Sequence, residues 1–364
     1  MQKKFIFESE KLSHITSIIR KRIAEDRNLS KGLRLNRNER VLNFPKYLLS
    51  DIFKKTEGYD LAKYPDQALI YKHLGTHLKL KENNFYITQG IDGAIKNIFE
   101  IFTKVNDKIL CLYPTYAMYE VYSKIFKTKI KTITYDSKTF KLKINDLIHE
   151  IKKKPKILFL PNPNQPIEDN LSYRQLDKLC LLCKKNKVTL VVDEAYYMFG
   201  SFTAQKLIFK YNNLIVLRTF SKSFGLPSIR LGYVISSSKI IHILKTFRLS
   251  YETNFLTDTV AIYFLKRFRL IKNYINQVKI GRDYLSKKIK QLGFDVIGKQ
   301  SNFLLINFKN ENICKNVFNG FVKDLIYVKS NYKYPLNTCL LLTCGPKNLM
   351  KKVYLSLKKN IKKC

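Results

Sequence analysis

Three apolar runs end in side chains that can do chemistry. KILFLPNPN ends at Asn162, VTLVVDEAYY carries Asp193 and Tyr196 behind its apolar core, and NLIVLRTFSKSFG carries Thr219, Ser221 and Lys222. A carboxylate can hold a cation, an amide or phenol can place hydrogen bonds, and a lysine amine can act as nucleophile or proton carrier. One polar strand end means little, because buried strands commonly hand over to loops through Gly, Asp or Ser. Asn162, Asp193 and Lys222, however, follow one another at intervals of about thirty residues, the length of one βα unit. That spacing sets them at successive positions along the carboxyl edge of an open parallel sheet, where ligands collect. Arg230 follows Lys222 across a Gly-Leu-Pro turn that can bring the two cations together.

The elements that must position these residues read as alternating strands and helices. NNFYITQG is a strand ending in Gly90, followed by the helical DGAIKNIFEIF, and KILCLYP is followed by YAMYEVYSKIF. Strands separated by ten or more helical residues imply crossovers and a mostly parallel sheet covered on both faces. After residue 250 the texture changes. A long helical stretch, TDTVAIYFLKRFRLIKNYINQVKIGRDYLSKKIKQL, reads as a pair of helices; FDVI, NFLLINF and CLLLTC read as strands, and KNLMKKVYLSLKKNIKK as a terminal helix. The expected organisation is an arm over 1–45, helical and then irregular at LRLNRNERVLNFP, a large α/β domain over 46–250, and a smaller α+β domain over 251–364.

Composition sets outer bounds. At about 150 residues per domain, 364 residues suggest two bodies, and 45% hydrophobic residues are enough for an extended core. The formal charge is +39, from 67 basic against 28 acidic side chains. Spread along a chain rich in Lys, Asn and Ile, this reads as a solvated basic surface, with a polyanion contact as the other reading. No helix-turn-helix is visible, so nucleic acid is not an expected partner. Seven cysteines make no disulfide framework and fit a reducing cytoplasm; Cys180 and Cys183 share a helix face as core residues. Neither a signal peptide nor a membrane-spanning run is expected, and no metal site is read.

VLRTFSKSFGLPSIRLGYVI, NPN at 162–164, VVDEAY at 191–196, YPTYAMY and KYPDQAL occur in an order that resembles the fold type I pyridoxal-phosphate enzymes of the class I/II aminotransferases, within them the histidinol-phosphate aminotransferases. The resemblance runs from LNRNER to LLLTCG and implies the pyridoxal 5'-phosphate transferase fold: a seven-stranded, mostly parallel sheet, a smaller C-terminal domain and a homodimer with shared active sites. It implies that Lys222 holds the cofactor aldehyde and moves the substrate proton, and that Asp193 pairs with the pyridinium nitrogen. Asn162 and Tyr196 would donate to the cofactor's phenolic oxygen, and Tyr116 would stack on its ring. The phosphate would rest on the helix N-terminus at Gly90, Ile91 and Asp92, on Thr219, Ser221 and Arg230, and on Tyr64 from the neighbouring subunit.

The sequence departs from the family in two places. Ile91 and Gly93 stand where Ser or Ala and Glu are usual, which leaves the backbone amides but removes side-chain contacts. More consequentially, the family's substrate-gripping arginine in a strand reading LRITVG corresponds here to Leu341. One charged hydrogen bond is worth about 1.5–3 kcal/mol, so another group is expected to replace it. Arg37 and Arg40, with Asn36 beside them in LNRNER, are the candidates; otherwise the substrate lacks the usual α-carboxylate. The expected activity is transamination between an amino-acid donor and a small, phosphorylated amine or ketone. Leu341 favours a related small phosphate ester, or a precursor in surface-polysaccharide assembly, over histidinol phosphate itself. Decarboxylation of a phosphorylated amino acid is the alternative, because the same lysine, acid and ring can expel carbon dioxide.

Overall fold

The computed structural model describes residues 32–361, so the expected helical part of the N-terminal arm lies outside the described residues. In chain order the first elements are β1 (Leu33–Arg34) and the helices α1 (Lys46–Phe53), α2 (Gly58–Ala62) and α3 (Gln67–Leu78). There follow β2 (Phe85–Thr88), α4 (Gly90–Phe102), β3 (Lys108–Tyr113), α5 (Met118–Ile125), β4 (Lys129–Thr134) and α6 (Ile144–Lys152). Next come β5 (Ile157–Pro161), α7 (Tyr173–Lys185), β6 (Thr189–Asp193), β7 (Leu214–Thr219), β8 (Gly232–Ser236) and α8 (Ser238–Thr246).

The strands β2 to β8 form one seven-stranded sheet in the order β2-β8-β7-β6-β5-β3-β4. All pairings are parallel except those of β8, which runs against both β2 and β7. The connection 220–231 contains only the short 3-10 turn Pro227–Ile229, with no helix to carry the chain across the sheet, so β8 returns antiparallel. Side chains alternate between two cores as strand geometry requires. Leu158, Leu160, Leu190 and Val192 enter one, and Ile157, Phe159, Val191 and Ile215 the other. The same pairing aligns the strand ends: Asp193 is in register with Pro161 on one side and Leu217 on the other.

Beyond the sheet, the expected helical pair is α9 (Phe255–Lys266) and α10 (Phe268–Lys290), divided at Arg267. The Asn254 side chain accepts from the Thr257 N–H and starts α9. The remaining elements are β9 (Asp295–Ile297), β10 (Phe303–Asn307), α11 (Glu311–Lys323), β11 (Ile326–Tyr327), β12 (Cys339–Thr343) and α12 (Lys347–Ile361). Strands β12, β10 and β9 make an antiparallel sheet, and α10 and α12 cover it with buried Val278, Leu285, Val353 and Leu357. Strand β1 pairs in parallel with β11, and the Leu35 carbonyl accepts from the Thr343 N–H. The LNRNER segment is thereby stitched to the C-terminal sheet while its following residues reach the edge of the large one.

Candidate active site

A cleft of about 770 Å³ opens at the carboxyl ends of β5, β6 and β7. Asp193, Tyr196, Thr219, Ser221, Lys222 and Arg230 line it, together with Ile91 and Asp92 from the start of α4 and Tyr116 from the end of β3. These distant stretches meet because β3, β5, β6 and β7 are consecutive neighbours running the same way.

Asp193 is 5% exposed, and among the described residues no cation forms an ion pair with it, the Lys222 ammonium acting on it only from a distance. One carboxylate oxygen accepts from the Tyr119 hydroxyl at 2.7 Å and the other from the Ala195 N–H at 3.0 Å. Burial raises its pKa to about 6 against the pull of those two hydrogen bonds. A buried acid that is hydrogen-bonded but stands outside any ion pair suits a ligand that brings a cationic N–H. Behind it, Glu194 forms a fully buried pair with Arg218 at 3.0 Å and accepts from Thr203 and the Ala204 N–H, which ties the ends of β6 and β7 together.

The half-buried Lys222 donates to the backbone carbonyls of Arg37 and Asn38, both at 3.1 Å. Burial lowers its pKa to about 8; Glu39 opposes that shift and Arg230 adds to it. The amine is therefore close to its neutral, nucleophilic form near physiological pH. The Tyr196 hydroxyl accepts from the Asn38 side-chain amide at 3.1 Å and keeps its own proton available for the cleft.

At the opposite end, Gly90 has φ +69, a backbone state a side chain would strain, and a Cβ there would come within 2.8 Å of the Arg230 guanidinium. The cradle is thus a helix N-terminus with its first amides unpaired, an arginine 3.5 Å from Asp92, and the hydroxyls of Thr219 and Ser221 at 3.0 Å from one another. Donors of this kind match a phosphate. The Tyr116 hydroxyl donates to Asp92 at 2.5 Å.

A family model described as "Aminotransferase class I and II" matches residues 45–354. The chain belongs to the class I and II aminotransferases. The histidinol-phosphate aminotransferase of Clostridium novyi is 30% identical over 317 residues, covering 86% of this chain and 87% of that protein. That of Brachyspira hyodysenteriae is 33% identical over 285 residues, 76% and 78% of the two chains. Among solved structures, histidinol-phosphate aminotransferase from Sinorhizobium meliloti in complex with pyridoxal-5'-phosphate superposes with a TM-score of 0.81 at 20% identity over 91% of each chain. L-threonine-O-3-phosphate decarboxylase from Porphyromonas gingivalis gives 0.76 at 17% identity, covering 91% of this chain and 99% of that one, and so shares the fold.

As a member of this family the chain is a pyridoxal-phosphate-dependent aminotransferase, and the donor set fits that cofactor: an acid awaiting a cation, an amine near neutrality and a phosphate-sized cradle. Several expected residues stand elsewhere. The Asn162 side chain is turned away from the cleft; both its ends are taken by the backbone of Leu171, at 2.8 and 3.3 Å. The cleft-lining amides of that loop belong to Asn164 and Gln165, and Asn164 is already bonded to Tyr135, Thr115 and Pro114. Gln165 is the aminotransferase's available amide at that position. Arg40 does not line the cleft: its guanidinium lies 4.1 Å from the ring centres of both Phe44 and Tyr274 and donates to the Leu42 carbonyl at 3.0 Å. Arg37 and Asn36 do line it. Tyr64 is 77% exposed, stacks on Tyr251 at 4.6 Å and lies outside its own chain's cleft.

Besides Gln165 and Tyr332, which also line the cleft, three residues escaped the sequence reading. Tyr119 lay within the quoted YPTYAMY, but only the sheet shows that its hydroxyl meets Asp193. Asn38, with φ +54, bonds Tyr196, Thr343 and Lys222 at once. Lys329 stands opposite Leu341, in a segment that carried no motif.

Proposed function

We propose that this aminotransferase carries an amino group between an amino-acid donor and a small phosphorylated amine or ketone of the histidinol-phosphate type. The observation that carries the reading is the placing of Lys222 and Asp193 at the ends of adjacent parallel strands in one cleft. The names of the relatives support histidinol phosphate as the first acceptor to try.

When bound, pyridoxal phosphate supplies an aldehyde for amine capture and a ring that withdraws electrons from the substrate carbon. Asp193 would hold the ring nitrogen's proton, with Tyr119 fixing the carboxylate. The amine of Lys222 would hold the aldehyde and, once free, take and return the substrate proton; at about 8 its pKa suits both directions near neutrality. Tyr196 and Gln165 would hydrogen-bond the phenolic oxygen, and Tyr116 would cover one ring face. The amides at Gly90, Ile91 and Asp92, the hydroxyls of Thr219 and Ser221, and Arg230 would grip the phosphate. We further propose the division into a large domain, 46–250, and a small one, 251–364, and a dimer in which Tyr64 serves the partner's cradle. Its exposed, stacked ring supports that role.

Borohydride reduction of the purified holoenzyme followed by peptide mapping should label Lys222; a label on any other lysine overturns the site. A panel of amino donors should discharge the aldehyde's absorbance without gas. Carbon dioxide release in its place would make the enzyme a decarboxylase.

A further inference from the structure

Leu341, at the position of the missing arginine, is fully buried and does not line the cleft. Lys329 stands directly across from it. The two exchange both backbone hydrogen bonds at 2.9 Å, as opposite residues of an antiparallel pair whose side chains share a face. On the other flank, the Leu35 N–H bonds the Tyr327 carbonyl and extends the parallel pairing of β1 with β11, which brings Asn36 alongside Lys329. The Lys329 ammonium lies 5.5 Å from the ring centre of Tyr332, and among the described residues it has no carboxylate partner. Asn36, Lys329 and Tyr332 all line the Lys222 cleft.

Two atoms of this group are conspicuously idle. The Asn36 Oδ1 and the Tyr332 hydroxyl are both buried, and neither makes a hydrogen bond. Buried polar atoms almost always have partners, so these two mark groups that a ligand brings. The other cations of the cleft are placed differently: Arg230 lies beside Asp92 at the phosphate cradle, Lys222 donates to the Arg37 and Asn38 carbonyls, and Arg37, exposed like Lys329, belongs to the segment that Lys222 holds. The Lys329 side chain is exposed, and partial desolvation lowers its pKa.

We infer that Asn36, Lys329 and Tyr332 form the wall that reads the substrate, with Lys329 replacing the lost arginine from across the strand pair. The ammonium and the Tyr332 hydroxyl grip one anionic group, and the Asn36 carbonyl oxygen accepts from an N–H or O–H of the substrate. An ammonium is a point charge without the planar fork that matches a carboxylate. A phosphate monoester carries more charge than a carboxylate. The wall therefore selects a phosphate ester that also bears a hydrogen-bond donor. This deepens the proposed function and rests on the cleft being the pyridoxal-phosphate site.

The test is calorimetric titration of the holoenzyme with two unreactive probes, methyl phosphate and acetate, its cofactor phosphate cradle already being filled. Methyl phosphate should bind more tightly than acetate. Lys329→Met should weaken methyl phosphate about tenfold, the worth of one charge-assisted hydrogen bond, and Tyr332→Phe about threefold or more. Lys329→Arg should narrow the gap between the probes by restoring a fork. For Asn36, Asn36→Leu should raise the KM for histidinol phosphate more than it lowers kcat. A Lys329→Met holoenzyme with intact cofactor absorbance and unchanged probe binding sinks the inference alone, as does loss of methyl phosphate binding in Arg37→Met and not in Lys329→Met. Failure of the unmodified protein to take up pyridoxal phosphate removes the underlying reading, and the inference with it.

Discussion

Replacing Tyr119 by Phe removes one oxygen atom and leaves the buried ring stacked on Phe159, 4.8 Å away. That oxygen gives Asp193 its strongest opposition to burial, ahead of the Ala195 N–H, while Asp92 and Glu194 add like-charge repulsion. A hydrogen bond to a charged group contributes about 1.5–3 kcal/mol, equivalent to roughly a ten- to hundredfold change in acid dissociation. From a starting pKa of about 6, the carboxyl of the cofactor-free variant would cross neutral pH and be largely protonated at pH 7. A protonated Asp193 offers no charge to a ring nitrogen. Cofactor affinity should therefore fall about tenfold or more at pH 7 and recover toward the parent value at pH 9, where the carboxyl ionises again. Titration of pyridoxal phosphate onto cofactor-free protein, followed by absorbance at each pH, measures the ratio of the two affinities. The ionisation of Lys222 is common to both proteins and cancels in that ratio. A ratio near one throughout, or one that does not change with pH, would refute the assignment of Asp193 and Tyr119 as a unit.

The same acid makes a prediction about stability. Its pKa in the folded chain is raised, so its contribution is fully present below the ordinary carboxylate value of 3.8 and lost as pH rises through about 6. Cofactor-free Asp193→Asn should melt above the parent at pH 8 and close to it at pH 4; equal melting temperatures at pH 8 would show that the carboxylate is not strained by burial. Gly90→Ala would force a Cβ to 2.8 Å from the Arg230 guanidinium at φ +69. Left-handed strain of about 1–2 kcal/mol and a displaced arginine should weaken pyridoxal phosphate about tenfold and leave unphosphorylated pyridoxal nearly unaffected. Equal losses for both would place the phosphate elsewhere.

The sequence made the large sheet readable because its strands are short apolar runs, its helices are periodic, and the βα spacing is regular. Asp193 and Lys222 could be found the same way, since strand ends in a parallel sheet share an edge. What escaped depends on contacts across the fold. Nothing local separates Asn162 from Gln165; the choice is made by the Leu171 backbone, which takes both ends of the Asn162 side chain. Arg40 looked like a candidate clamp beside Arg37, but Phe44 and Tyr274, the latter from a helix far along the chain, sandwich its guanidinium. Lys329 had no motif around it and gains meaning only through its backbone pairing with Leu341.

The hairpin of β7 and β8 has a consequence for how this enzyme can change. Thr219 and Gly232 face each other at its base, so Lys222 and Arg230 hang from a single closed loop whose length fixes their separation. Gly232 leaves no room for a side chain, since a Cβ would meet the Gly90 backbone at 2.5 Å. The proposed anchor and grip for the coenzyme are thus one cassette, intolerant of insertion. Asn36, Lys329 and Tyr332 belong to other segments of the chain, so on the proposed roles a change of substrate there would leave the cassette as it is.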